Sequence, residues 1–438
     1  MSIENMHDLN GVTCSCGKTH RFDAEVTVGK GVVRRIPEYV RQYHAKKVFV
    51  LSDINTFQAA GEQVCGLLED AGIPFVSYCC PEKNPEPDEK RVGSVVMHYD
   101  SACDLIVAIG SGVINDIGKI LSTVSGRPYI IVATAPSMDG YASASSSMTR
   151  DGLKISLPSR CPDVIIGDTD ILCNAPLELM RSGLGDMLAK YVSICEWRLS
   201  HLINGEYYCE QIAQLIRHAV KQCVDNAPAL LRREEAAVQA VFEGLVTAGV
   251  AMKYAGLSRP ASGVEHYISH VLDMRGAEFR TPVALHGIQC AVGTVIAVKL
   301  YHKLKAIIPD KEKALAYVAG FRVDAWHETL RGLLGKGAES MIDLESREKK
   351  YDLVSHASRL ETILKNWDRV LRIIKEELPS AQELEALLDA IQAPKTLEEL
   401  GVSEALLPTV FGATKDIRDK YVLSRLMWDL GIIEEVFL

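Results

Sequence analysis

Through the first 170 positions the apolar residues fall into short β-branched runs. They occupy 47–52 (KVFVLS), 74–79, 104–110 (DLIVAIG), 128–134 (PYIIVAT) and 163–168 (DVIIGD). Between several of these lie segments with a helical spacing of apolar positions, at 56–71 and 88–99. Continuous apolar strands alternating with helices predict a parallel sheet covered on both faces. From about Pro176 the strand pattern stops. Helix-compatible stretches follow at 177–199, 206–226, 233–256 and 283–303, and continue to the C-terminus. Breaks at Asn226-Ala227-Pro228, Arg259-Pro260 and Leu407-Pro408 separate them. The expected fold class is α/β, with a parallel-sheet domain over 1–172 followed by an all-helical domain over 173–438.

Sheets of this kind bind ligands beyond the carboxyl ends of their strands, and two candidate loops lie there. The strand at 104–109 runs into Gly110, Ser111, Gly112, Val113 and Ile114, then into a helix through Lys119. Glycines at such a junction let the backbone approach a pyrophosphate, and the helix N-terminus offers N–H groups to it. The third glycine of the usual dinucleotide fingerprint is missing, so a purely structural turn is the competing reading. The next strand leads into Thr134, Ala135, Pro136 and Ser137, ahead of Asp139 and Ser143. Two adjacent loops favour a Rossmann-like cofactor site. Asp53 ends an earlier strand, where it serves either as a ribose-binding carboxylate or as the start of a helix at Asn55-Thr56.

Asp186 sits in the apolar helical stretch Gly183-Leu184-Gly185-Asp186, where a carboxylate is costly unless paired or bound to a cation. His266 and His270 lie one turn apart if their segment is helical, and His286 follows in Leu285-His286-Gly287. One carboxylate and two imidazoles suit Zn²⁺, Ni²⁺ or Fe²⁺. Spacing alone does not choose two histidines from the three. Cys14, Cys16 and His20 form a second group with metal-ligand chemistry, although a tight turn explains their spacing equally simply. The charge run Glu345-Ser346-Arg347-Glu348-Lys349-Lys350 reads as a solvated helix face.

Composition narrows the partners. The chain has 438 residues, 47% hydrophobic and 24% charged, with a formal charge of −9. That balance argues against nucleic acid or an anionic membrane as the main partner. No basic-then-apolar leader opens the chain, and no apolar run reaches about 18 residues, so no membrane span is expected. Twelve cysteines over this length are too sparse for a disulfide scaffold and fit reduced thiols in the cytoplasm.

The order of the glycine loop, Ser137-Met138-Asp139-Gly140-Tyr141-Ala142-Ser143, Gly183-Leu184-Gly185-Asp186, the segment Ser258 to His270 and Leu285-His286-Gly287 resembles the iron-containing alcohol dehydrogenase and dehydroquinate synthase superfamily. Within it, the second and fourth motifs resemble the sn-glycerol-1-phosphate dehydrogenases. The resemblance implies a dehydroquinate synthase-like fold and NAD(P)-dependent, metal-dependent reduction of dihydroxyacetone phosphate to sn-glycerol 1-phosphate. It implies metal ligation by Asp186, His266 and His286, and substrate contacts from Asp139, Asp186 and His270. It places the dinucleotide on Asp53, Gly110, Ser111, Gly112, Val113, Ile114, Thr134, Ala135, Pro136, Ser137 and Ser143. A homo-oligomer is expected. Ser111 departs from the family, where a third consecutive glycine is common. A phosphorylated substrate needs cations, for which Lys154, Lys190 and Arg259 are candidates. The alternatives are glycerol dehydrogenase activity on unphosphorylated glycerol, a dehydroquinate synthase-type lyase, or a non-catalytic nucleotide-binding protein.

Overall fold

The computed structural model describes residues 8–83, 85–150 and 153–437; the side chain of Lys154 lies outside the described residues. Each predicted strand is present within a residue of its expected ends: β2 (Val48–Asp53), β3 (Phe75–Cys80), β4 (Leu105–Gly110), β5 (Tyr129–Ala133) and β8 (Val164–Asp168). With β1 (Glu25–Gly29) they form a six-stranded sheet in the order β1-β8-β5-β4-β2-β3. Every pairing in it is parallel. The central strands β2, β4, β5 and β8 are buried throughout, while the edge strands β1 and β3 are only partly so. This is the burial that continuous apolar runs encode. A separate antiparallel pair, β6 (Ser145–Arg150) with β7 (Leu153–Pro158), was not foreseen, because its serine-rich strand lacks an apolar run.

Beyond β8 the described chain carries helices and turns only, as the pattern predicts. The stretch 177–199 divides into Leu177–Leu188 and Lys190–Asn204. The compact units do not follow a single cut in the sequence. One runs to Met187 and takes in Gln214–Leu257; the other comprises Leu188–Ala213 and Ser258–Leu438. The helix Glu235–Ala255 therefore belongs with the sheet. It is long and apolar enough to cross a membrane, but 67% of its apolar window is buried inside the protein, as in a core helix.

Candidate cofactor loops and metal centre

In the sheet unit the two glycine-bearing loops lie side by side because β4 and β5 are neighbours. Gly110 pairs with Ala133, and the N–H of Thr134 donates to the carbonyl of Gly110 at 3.1 Å. The helix Gly112–Ser125 begins immediately after Ser111, so its first N–H groups open at the carboxyl edge of the sheet. A Cβ on Gly110 would lie 2.4 Å from Cβ of Ile114, which is why glycine stands there. The close helix-to-sheet approach that a third fingerprint glycine would permit is supplied further along. A Cβ on Gly118 would lie 2.7 Å from the Tyr129 hydroxyl, and that hydroxyl donates to Oδ1 of Asn115 at 3.0 Å.

Lys119 is fully buried and pins the following segment: its Nζ donates to the carbonyl of Gly140 (2.6 Å), to Oγ of Ser143 (3.0 Å) and to the carbonyl of Ser145 (3.0 Å). Sequence reasoning missed this role. A lysine two turns into an apolar helix was the available signal. Asp53 is buried, and its Oδ1 accepts from the N–H of Thr56 at 2.9 Å in a reciprocal capping box. The helix-start reading of Asp53 is thus realised, at the carboxyl end of β2.

Asp186 is wholly buried, and its Oδ2 accepts from the N–H of Asp139 at 2.9 Å. Its helix can approach the second loop because Gly183 has no side chain; a Cβ there would lie 1.9 Å from the carbonyl oxygen of Pro136. Ser182 donates to the carbonyl of Ser137 at 3.0 Å. The Gly-Leu-Gly-Asp motif thus sets a carboxylate against the backbone of Asp139.

The histidines belong to the helical unit. The helix Val264–Phe279 carries His266 and His270 one turn apart, and His286 opens the helix His286–Leu304. These helices approach closely at Gly293, whose absent Cβ would lie 2.7 Å from the carbonyl oxygen of Glu265. The rings of His266 and His286 consequently lie 5.1 Å apart between centroids, with His270 stacked 6.1 Å from His286. Nδ1 of His266 lies 2.8 Å from Oε1 of Glu265, and Nδ1 of His286 lies 3.1 Å from Oγ of Ser269. Oε1 of Glu265 also accepts from the N–H of Gly263 at 2.6 Å. Partners on Nδ1 are how proteins turn Nε2 of an imidazole toward a metal. The donor set therefore fits a divalent cation. Donor atoms of His266, His286 and Cys290 lie within 4.8 Å of one another. Cys290 and Glu265 were both missed, although Cys290 stands one turn after His286 and Glu265 directly precedes His266. Behind this group Glu196 is fully buried; burial and the neighbouring Glu265 push it up to about 8, against N–H bonds from Leu423 and Val264.

The helical unit also contains a cavity of about 490 Å³ whose walls include Arg259, Lys350, Arg359, Lys415, Lys420 and Arg425. Lys420 donates to Oγ of Ser262 at 2.7 Å and lies 5.9 Å from the ring of Tyr267, next in sequence to His266. Burial pushes Lys415 and Lys420 down to about 7 and Lys350 to about 8. Burial opposes the charge of Asp416, yet Lys415 and Arg425, at 2.9 and 3.0 Å, hold it down to about 2. Of the three sequence candidates for phosphate contact, Arg259 lines this cavity and Lys190 is buried in its helix. The charge run at 345–350 is solvated at Ser346, Arg347, Glu348 and Lys349. Its ends depart from that reading: buried Glu345 lies 2.7 Å from Nε2 of His327, and Lys350 faces the cavity.

Residues 27–176 match the family model described as iron-containing alcohol dehydrogenase. The chain is 30% identical to the glycerol-1-phosphate dehydrogenase [NAD(P)+] of Bacillus velezensis over 80% of this chain and 91% of that one. It is 34% identical to the protein of that name from Methanosarcina mazei, over 65% of this chain and 78% of the other. Among solved structures, a glycerol dehydrogenase from Schizosaccharomyces pombe matches with a TM-score of 0.61 at 17% identity, over 96% of this chain and 91% of that one. A 1,3-propanediol oxidoreductase matches at 0.62 and 16% identity, over 94% and 98%. Those two establish the fold. The motifs and the relatives together place the chain in the glycerol-1-phosphate dehydrogenase family of NAD(P)-dependent enzymes, among the iron-containing alcohol dehydrogenases.

Proposed function

We propose that the protein reduces dihydroxyacetone phosphate to sn-glycerol 1-phosphate, with NAD(P)H as hydride donor and one divalent metal, Zn²⁺, Ni²⁺ or Fe²⁺, held by Asp186, His266 and His286. The observation that carries the phosphorylated substrate is the basic cavity reached from Lys420 and Arg259, in the same motif region as His266. Arg259, Arg359, Lys415 and Arg425 are paired there with Glu206, Asp429 and Asp416, and a substrate phosphate would add a further anion beside Lys350 and Lys420, which unphosphorylated glycerol cannot. A bound metal would supply Lewis acidity at the substrate carbonyl, and the nicotinamide would supply hydride.

The remaining work falls to this chain's residues. Glu265 fixes the Nδ1 proton and ring orientation of His266, and Ser269 does so for His286. The backbone of Asp139, bonded to Asp186, holds the substrate-facing turn in place, with Lys119 securing it from beneath. His270 and Asp139 are the candidates for passing a proton to the product oxygen. Gly110, Ser111, Gly112, Val113 and Ile114, together with Thr134, Ala135, Pro136 and Ser137, would cradle the pyrophosphate. Asp53 would meet the adenosine ribose while keeping its capping role, and Ser143 would border the nicotinamide. A cytoplasmic homo-oligomer is the setting we propose.

The test is NADH oxidation by metal-stripped protein restored separately with Zn²⁺, Ni²⁺ or Fe²⁺, comparing dihydroxyacetone phosphate with dihydroxyacetone. Metal-dependent turnover favouring the phosphate by at least tenfold in kcat/KM is expected. Equal turnover of both ketones would transfer the assignment to glycerol dehydrogenase.

A further inference from the structure

The turn at Cys14, Cys16 and His20 has no part in that chemistry, yet it is built with care. Thr13 and Thr19 form an antiparallel bridge, and the N–H of Cys14 donates to the carbonyl of Lys18 at 2.9 Å. The N–H of Gly17 donates back to the carbonyl of Cys14 at 2.9 Å. Gly17 has φ +84°, a left-handed conformation that favours glycine and tightens the loop between the cysteines and the histidine. Cys14 and His20 are buried, and Cys16 is partly so. None of the described cysteines is in a disulfide.

We propose that Cys14, Cys16 and His20 bind a structural zinc ion, separate from the metal proposed for catalysis. Donor atoms of the three residues lie within 4.8 Å of one another. Sγ of Cys16 and Nε2 of His20 are 3.5 Å apart. Zinc bonds to sulfur and nitrogen at tetrahedral angles put such a pair about 3.6 Å apart. The second observation concerns the other ring nitrogen. Nδ1 of His20 lies 3.0 Å from the carbonyl oxygen of Tyr254. A carbonyl only accepts, so Nδ1 carries the proton and Nε2, on the cysteine side, presents its lone pair. That is the arrangement by which ligating histidines are held.

A hydrogen bond from a Cys16 thiol to Nε2 would explain one distance. It would leave unexplained why the Cys14 sulfur converges on the same point. The fourth coordination position goes to a donor outside this turn. Because Tyr254 belongs to the helix Glu235–Ala255, a metal here would fasten the N-terminal turn to a core helix of the sheet unit.

The experiment uses the full chain loaded with zinc and, in parallel, with Co²⁺. Cys16→Ser and, as a control outside both donor groups, Cys65→Ser in the helix Glu62–Asp70 are compared with wild type by metal analysis after gel filtration and by the thiolate-to-cobalt charge-transfer band. We expect Cys16→Ser to lose one equivalent of metal per chain and to lose or weaken that band, and Cys65→Ser to retain both. A Cys16→Ser protein with unchanged metal content and an unchanged band would overturn the proposal. Wild type provides a check that needs no variant. Alkylation of Cys16, followed by peptide mass spectrometry, should accelerate at least tenfold on chelation, and an unchanged rate would also overturn it. Neither readout involves turnover, so failure of the proposed ketone reduction leaves this result standing.

Discussion

The contact between Oε1 of Glu265 and Nδ1 of His266 ties a metal-ligand candidate to a buried carboxylate that the sequence places one position before it. Replacing such a partner commonly weakens metal binding by roughly 10–100-fold. Glu265→Gln should therefore bind Zn²⁺ more weakly by that factor in a chelator competition, while Ser269→Ala, which removes a neutral partner of His286, should cost less. Equal affinities for Glu265→Gln and wild type would mean the carboxylate does not orient the ring. At this scale the sequence was informative about residue type and poor about partnership. His266, His270 and His286 stood out as polar groups in apolar segments. Which of them come together depends on where two helices cross, at Gly293, a residue with no chemistry of its own. Cys290 was passed over for the same reason. A cysteine in an apolar helix looks like a small core residue until the neighbouring helix brings His266 to join His286 beside it.

Glycines govern how closely the elements approach, and Gly183 shows the size of the effect. Alanine inside a helix is ordinarily about 1 kcal/mol better than glycine. Here the added Cβ would sit 1.9 Å from the Pro136 carbonyl oxygen, a backbone atom that cannot rotate away. Overpacking of this kind costs about 1–3 kcal/mol, so the clash wins. Gly183→Ala should lower the thermal midpoint and, by displacing the loop from Thr134 to Ser137, raise KM for NADH several-fold. A stabilised variant with unchanged KM would show that the loop yields freely. The strands of the central sheet were legible because burial on both faces leaves a continuous apolar run. β1 and β6 were not. An edge strand half open to solvent, and a serine-rich strand in a two-stranded pair, carry no such run. The division of the helices between two compact units was equally hidden. Helical periodicity shows that a face is buried but not which surface covers it.

Over the whole molecule, a net charge of −9 and an anionic substrate look incompatible until the charges are located. Seven of the 48 lysines and arginines line one cavity of the helical unit, beside Glu206, Glu348 and Asp419, and burial there pushes Lys415 and Lys420 down to about 7 and Lys350 to about 8. The sign of the pH dependence follows. Without phosphate these lysines lose protons as pH rises from about 6 to 9, whereas in the unfolded chain they keep them to about 10.4. The unfolded state thus binds more protons across that window, and the unliganded protein should gain stability with rising pH from these groups. Phosphate bound in this cavity would reverse the balance, because it would stabilise the charged lysines and draw protons in. The KM for dihydroxyacetone phosphate should therefore rise by about tenfold or more between pH 7 and 9, while the KM for dihydroxyacetone changes little. Calorimetry at pH 8 in two buffers of different ionisation enthalpy should detect proton uptake with inorganic phosphate, reduced in Lys420→Ala. Phosphate binding without proton uptake, and with an affinity flat from pH 7 to 9, would place the phosphate site elsewhere and leave the cavity's buried cations a structural feature paired with Asp416.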